Sequence, residues 1–229
     1  LLVQVKAVAV NPVDYKIRQN VAAEEGEYKV IGWDAAGEVV AVGAAVAWFK
    51  PGDQVYYAGD ITRSGTNAEY QLVDERIVGH KPRSLSDSEA AALPLTTITA
   101  WELLFEHLQL KQKDAGSLEK SDEVVLVVGA AGGVGSILIQ LAKTLTGATV
   151  IATASREASR NWVRELGADF VVDHREPLKP QVDALISEGQ VGAVTHVASL
   201  NATEQYFDSY VDMLVPFGRI ALIDDPASL

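Results

Sequence analysis

The strongest chemical signal in this chain is Glu123-Val-Val-Leu-Val-Val-Gly-Ala-Ala-Gly-Gly-Val-Gly135. Residues 124–128 read as a strand buried on both faces, and the residues after the glycines carry apolar side chains at helical spacing: Val134, Ile137, Leu138, Leu141 and Leu145. Strand, glycine-rich turn and helix in that order leave backbone N–H groups unpaired at the positive end of a helix dipole, where an anion can sit. Gly132 lets backbone approach a pyrophosphate, the helix begins near Gly133, and Gly135 lets that helix lie close on the strand. The expected dinucleotide contacts are therefore Gly129, Ala130, Ala131, Gly132, Gly133, Val134 and Gly135. Ala130 stands where the usual pattern has its first glycine, and its methyl is tolerable there if φ stays negative. A tight structural turn is the competing reading of the same residues.

The end of the next strand discriminates between coenzymes: an Asp or Glu there accepts from an adenosine ribose, whereas its absence beside an Arg suits a 2′-phosphate. This chain has Ala154-Ser155-Arg156 at that place, with Arg160 one helical turn on. Ser155 can donate one hydrogen bond and the arginines a charge-assisted pair, which favours NADP(H). Glu157 keeps NAD open as a ribose acceptor.

Two kinds of element must position these residues. Up to about residue 81 the pattern is of short strands (2–10, 37–42, 55–58, 68–73) separated by Gly, Pro and Asp turn signals, which predicts an antiparallel, barrel-like domain. Asn11-Pro12 opens a short helix or turn, Ser86-Asp-Ser-Glu89 is a capping box for an alanine-rich helix ending at Pro94, and residues 97–108 form a second helix with Trp101, Leu104, Phe105 and Leu108 on one stripe. From 124 onward strands (124–128, 148–154, 170–172, 193–198, 219–223) alternate with helices (158–166, 181–187, 203–214), the pattern of a doubly wound parallel sheet. Five of the usual six strands are visible. Trp33, Trp48, Trp101 and Trp162 are expected to serve packing.

The 229 residues, 48% hydrophobic, suffice for one large or two modest domains. A formal charge of -12, without a basic cluster, argues against a nucleic-acid surface. With no Cys the chain has neither disulfides nor thiolate metal sites, which fits a reducing, cytoplasmic location. No apolar run reaches the roughly 20 residues of a membrane span. Residue 1 already lies in an alternating strand and the last residues follow one, so the sequence reads as a fragment of a longer protein.

Several separated motifs occur in one order: Asn11-Pro-Val-Asp-Tyr-Lys-Ile-Arg18, Gly32-Trp-Asp-Ala-Ala-Gly-Glu-Val-Val-Ala-Val-Gly43, Pro51-Gly-Asp-Gln-Val55, Ala90-Ala-Ala-Leu-Pro94, Thr99-Ala-Trp101 and the loop 129–135. In these the chain resembles the medium-chain dehydrogenase/reductase superfamily, in particular its quinone oxidoreductase, enone reductase and zinc-type alcohol dehydrogenase-like branch. The resemblance implies an α/β architecture in two parts, both incomplete here: a GroES-like β-barrel catalytic domain over residues 1–94 and a Rossmann domain with a doubly wound parallel sheet over residues 95–229. It also implies an active site in the cleft between them and, commonly, a homodimer.

Zinc-dependent relatives carry Cys before the Asp of the first motif and Gly-His-Glu at the second, whereas this chain has Asn11 and Gly32-Trp33-Asp34. Neither Asn nor Trp is a useful zinc ligand, and His80, His107, His174 and His196 lack metal-ligand spacing, so no zinc is expected. The expected chemistry is NADPH-dependent hydride delivery to a small-molecule quinone or α,β-unsaturated carbonyl, acceptors that are already polarised. Asn11 can donate an amide hydrogen bond to the acceptor or cap the turn before Pro12; Lys16 can stabilise an enolate or donate a proton, or simply face solvent. By resemblance Thr99 lies beside the nicotinamide ribose and His174 near the adenosine phosphate, and the backbone of Ser199-Leu200-Asn201 is expected to face the nicotinamide. The alternative is a non-enzymatic NADPH-binding protein with a redox-sensing or structural role.

Overall fold

The computed structural model describes residues 1–117 and 119–227. It divides into two compact units, Leu1–Thr96 and Thr97–Leu229. The division falls within one helix, Pro94–Trp101.

The first unit is built on a five-stranded antiparallel sheet of β1 (Leu2–Val8), β2 (Asp34–Ala41), β3 (Gln54–Ala58), β4 (Tyr70–Leu72) and β5 (Gly79–His80), in the order β4-β1-β2-β3-β5. Irregular register between β1 and β2, at Leu2/Val3 and Val5/Ala7, bends the strand pair. Val3, Ala35, Val39, Val55 and Tyr57 form one buried cluster; Ala36 faces the other way, onto Ala90 and Ala91 of α2 (Asp87–Ala91). Helix α1 (Pro12–Asn20) follows Asn11, with Pro12 at the position where a missing N–H costs nothing. The expected capping box forms as read: the Glu89 N–H donates to Ser86 Oγ at 3.3 Å, and the Ser86 N–H to Glu89 Oε2 at 2.9 Å.

The second unit is a parallel sheet in the order β10-β9-β6-β7-β8: β6 (Val124–Val128), β7 (Thr149–Thr153), β8 (Phe170–Val172), β9 (Val194–Ser199) and β10 (Leu214–Leu222). All of β6 is buried, and its side chains divide by parity. Val125 and Val127 pack under α4 (Gly133–Leu145) and α5 (Glu157–Glu165), while Val124, Leu126 and Val128 pack under α6 (Leu178–Ser187) and α7 (Thr203–Met213). The chain is thus doubly wound. Because β7 lies on one side of β6 and β9 on the other, the crevice for a ligand opens at the carboxyl end of β6.

Two expectations fail here. The helix expected over 97–108 is α3 (Pro94–Trp101), with Pro94 at its start rather than beyond its predecessor's end, followed by a π-helical segment, Glu102–His107. The Leu108 N–H donates to Leu103 O at 2.9 Å, so each turn gains a residue and the apolar face rotates. Leu103 is buried in place of Trp101, which is 40% exposed and touches Phe105 edge-on. Nor are the tryptophans all core residues: Trp33 is buried, but Trp48 and Trp162 are 63% and 46% exposed. Among the described residues no helix is long and apolar enough to cross a membrane.

Leu126→Ala should remove about 2–5 kcal/mol of stability, because the fully buried side chain leaves a void in a sheet packed on both faces. Urea denaturation of the variant against wild type measures the loss.

Candidate functional site

At the carboxyl end of β6 the chain turns through Gly129 at φ +80°, a left-handed conformation that suits glycine. A Cβ there would also fall 2.7 Å from Asn201 Oδ1. Ala130 is not among the residues with positive φ, and it is fully buried in the core beneath α4, so the departure from the usual pattern is accommodated. The Gly132 N–H donates to Gly129 O at 3.1 Å, closing the turn; Gly132 then caps α4, whose first intrahelical bond runs from Ser136 N–H to Gly132 O at 2.8 Å. The amides of the first turn, Gly133, Val134 and Gly135, have no acceptor one turn earlier in the helix. A Cβ on Gly135 would overlap the Ala130 carbonyl oxygen, so only glycine permits this approach. Thr153, at the end of β7, accepts from the Gly129 N–H through Oγ1 at 3.1 Å and anchors the turn to the neighbouring strand.

Beyond β7, Arg156 is the exposed N-cap of α5 and Ser155 is half-buried. Arg160 donates from Nη1 to Ala154 O at 3.3 Å. Sequence reading passed over Arg175, which the fold brings to the same place: its Nη2 donates to Ser155 O at 3.1 Å, and its guanidinium pairs with Asp173 at 2.6 Å, holding that carboxyl well below the usual range. Arg160 and Arg175 therefore meet at the end of β7, next in sequence to the N-cap Arg156. His174 is exposed, and its carbonyl accepts from Tyr206 OH at 2.9 Å. Thr99 is half-buried on α3.

At the end of β9, Ser199 O accepts from the Ile223 N–H at 3.2 Å, and the Leu200 N–H donates to Val128 O at 3.1 Å. The Ser199 hydroxyl is fully buried, 2.7 Å from Thr203 Oγ1 and 3.1 Å from the Tyr210 hydroxyl, whose pKa burial pushes up to about 12. Asp224 closes this network: it accepts from the Thr203 N–H at 2.7 Å and from the Thr203 hydroxyl. It thereby caps α7, whose N-cap residue Ala202 has no side chain for that purpose. Ser199 and Leu200 brace the loop that carries Asn201 against Gly129.

In the first unit, Asn11 is buried and donates from Nδ2 to Asp34 Oδ2 at 2.9 Å. Its backbone N–H donates to Asp14 Oδ2 at 2.6 Å. Asp34 has no exposed surface, and its other oxygen accepts from the Leu95 N–H at 3.0 Å. Burial pushes its pKa from the usual 3.8 up to about 6, against the two hydrogen bonds, with Asp14 adding like charge. Lys16 is exposed on α1, and its carbonyl accepts from Asn20 Nδ2 at 2.9 Å.

A family profile for the alcohol dehydrogenase GroES-like domain matches residues 1–83, and one for zinc-binding dehydrogenases matches residues 133–224. The chain is 41% identical over 223 residues to a zinc-type alcohol dehydrogenase-like protein of Staphylococcus aureus, covering 97% of this chain and 64% of that protein. The chain belongs to the medium-chain dehydrogenase/reductase superfamily. Among solved structures of the superfamily, a putative zinc-dependent alcohol dehydrogenase from Rhizobium etli shares 51% identity and a TM-score of 0.90, over 100% of this chain and 64% of that one. The Escherichia coli quinone oxidoreductase solved with NADPH shares 29% identity and a TM-score of 0.76, over 96% of this chain and 63% of that one. The chain thus spans under two thirds of the length of these relatives.

The residues at the superfamily's zinc-ligand positions do not fit that ion. Asn11 presents an amide already engaged, Trp33 an indole that cannot coordinate, and Asp34 a carboxylate with both oxygens occupied. Among the described residues no group of three or more His, Cys, Asp or Glu is disposed to hold a metal.

Asp34 makes the fold pH-sensitive with a definite sign. Between about pH 4 and pH 6 the folded state keeps a proton that the unfolded chain releases, so this stabilisation is complete below about pH 4 and is lost as pH rises through 6. Urea titrations at pH 4 and 7 should show wild type losing about 2–3 kcal/mol relative to Asp34→Asn.

Proposed function

We propose that this chain binds NADPH through its second unit and belongs to a zinc-free oxidoreductase that reduces a quinone or an α,β-unsaturated carbonyl. The arginine cluster at the end of β7 carries the coenzyme assignment. Arg160 and Arg175 donate to the carbonyls of Ala154 and Ser155, and Arg156 follows them as the N-cap of α5, in keeping with a 2′-phosphate rather than a free ribose hydroxyl. The likeness to a quinone oxidoreductase solved with NADPH supports the same reading.

Residues 129–135 hold the pyrophosphate on the amides of the first turn of α4, and Ser155 with the arginines holds the 2′-phosphate. Thr99 meets the nicotinamide ribose and His174 the adenosine end. When bound, the reduced nicotinamide supplies a hydride, two electrons and one proton, to the acceptor. Asn11 orients the acceptor carbonyl by hydrogen bonding, and Lys16, on a flexible exposed stem, stabilises developing negative oxygen and delivers the balancing proton. An acceptor polarised by conjugation needs no Lewis acid, which accords with the donor set at the former ligand positions. The superfamily resemblance extends the proposal to a cytoplasmic homodimer.

The full-length protein should oxidise NADPH when a quinone or enone is supplied, and metal analysis should find no stoichiometric zinc. Tight NADPH binding without turnover across a panel of such acceptors would instead mark a coenzyme-binding protein. Arg156→Asp should shift the kcat/KM ratio for NADPH over NADH toward NADH by about 10- to 100-fold, the worth of one charge-assisted hydrogen bond. Gly135→Ala should raise the Kd for NADPH about 10-fold or more, read by fluorescence titration, as the added methyl forces the loop off the helix.

A further inference from the structure

We propose that Asp34 is a positioning residue that acts through Asn11, fixing which face of the Asn11 carboxamide is offered to the acceptor. The inference rests on the proposed contact between Asn11 and the acceptor. An asparagine does not fix its own amide, because the terminal torsion is broad and its two ends have nearly the same shape. A partner that only accepts hydrogen bonds removes the ambiguity. Asp34 is such a partner: Oδ2 takes one N–H of Asn11 Nδ2 at 2.9 Å, while the Asn11 side-chain oxygen faces the Asp14 N–H in a capping box, leaving the second Nδ2 N–H for the acceptor. The Asn11 main chain is held as well, its N–H donating to Asp14 Oδ2 at 2.6 Å, so backbone and side chain are both clamped by buried carboxylates.

The geometry also requires a carboxylate at position 34. Two donors converge there, Asn11 Nδ2 and the Leu95 N–H, the second reaching Oδ1 at 3.0 Å. An Asn in its place offers one acceptor for the two. If its oxygen turns to Leu95, its NH₂ faces Asn11, and the Asn11 amide must flip and reverse the polarity it presents. Asp34 itself touches no ligand, since it has no exposed surface and both oxygens are taken. Among the described residues no ion pair neutralises it, and burial raises its pKa with Asp14 adding like charge. The carboxylate is thus held by hydrogen bonds alone, and protonation withdraws its acceptor from Asn11.

The test uses the full-length protein with Asp34→Asn, Asn11→Ala and the double variant, measuring kcat and KM for a quinone or enone, the Kd for NADPH, and thermal unfolding. Asp34→Asn should lower kcat/KM for the acceptor about 10-fold while the Kd for NADPH stays within about twofold. In the Asn11→Ala background it should change kcat/KM less than about twofold, because the interaction it acts through is already gone. The same loss in both backgrounds, or no loss beside an impaired Asn11→Ala, overturns the proposal. Should Asp34→Asn not fold, the pH profile decides. Wild-type kcat/KM should fall in a one-proton step below about pH 6, and Asn11→Ala should lack that step; a step retained in Asn11→Ala overturns the proposal. An Asn11→Ala protein as active as wild type removes the underlying contact with the acceptor, a failure distinct from these.

Discussion

How closely α4 can approach the end of β6 governs the rest of the second unit. The strand is buried along its whole length, so the chain leaving it must reverse within a few residues and return as a helix on the same sheet. Gly129 supplies the left-handed turn, and Gly135 lets the first helical turn rest on the Ala130 carbonyl. Neighbouring elements then conform: Thr153 reaches across from β7 to hold the Gly129 amide, and the loop after β9 seats Asn201 against the same glycine. A cradle of backbone donors follows from steric necessity, and the chemistry at its rim comes from side chains that the sheet order delivers.

The first unit solves a different problem. It retains a buried carboxylate at a place where zinc-dependent relatives are expected to carry a metal ligand, and it stabilises that group with an amide and a backbone N–H instead of a cation. This arrangement destabilises the fold at neutral pH relative to an uncharged group, since burial opposes ionisation more than the two hydrogen bonds favour it. What it yields is orientation: an asparagine whose nitrogen and oxygen are no longer interchangeable.

Where order along the chain decides the outcome, the sequence was readable. Apolar runs placed β6 and β8 within their observed bounds, the Ser86 to Glu89 spacing produced its capping box, and alternation of strand and helix announced a parallel sheet. Where the outcome depends on residues far apart, it was not. Arg175 meets the Ser155 carbonyl across 20 positions, and Asn11 meets Asp34 across 23, distances over which periodicity carries no information. The only local hint was a charged residue, Asp34, lodged among Trp33, Ala35 and Ala36. The π-helical segment escaped for a related reason: a stripe drawn at 3.6 residues per turn selects Trp101, whereas the wider turn selects Leu103.

The borrowed cap on α7 ties together pieces that the sequence keeps apart. Asp224, just past β10, satisfies the Thr203 amide and hydroxyl, and Thr203 in turn holds Ser199 at the tip of β9. Releasing the segment after β10 would strip the helix of its cap and strand a buried serine hydroxyl in the same event. The end of β9, the start of α7 and the stretch around Asp224 should therefore open as one cooperative unit, their amides exchanging with solvent deuterium together rather than fraying one by one.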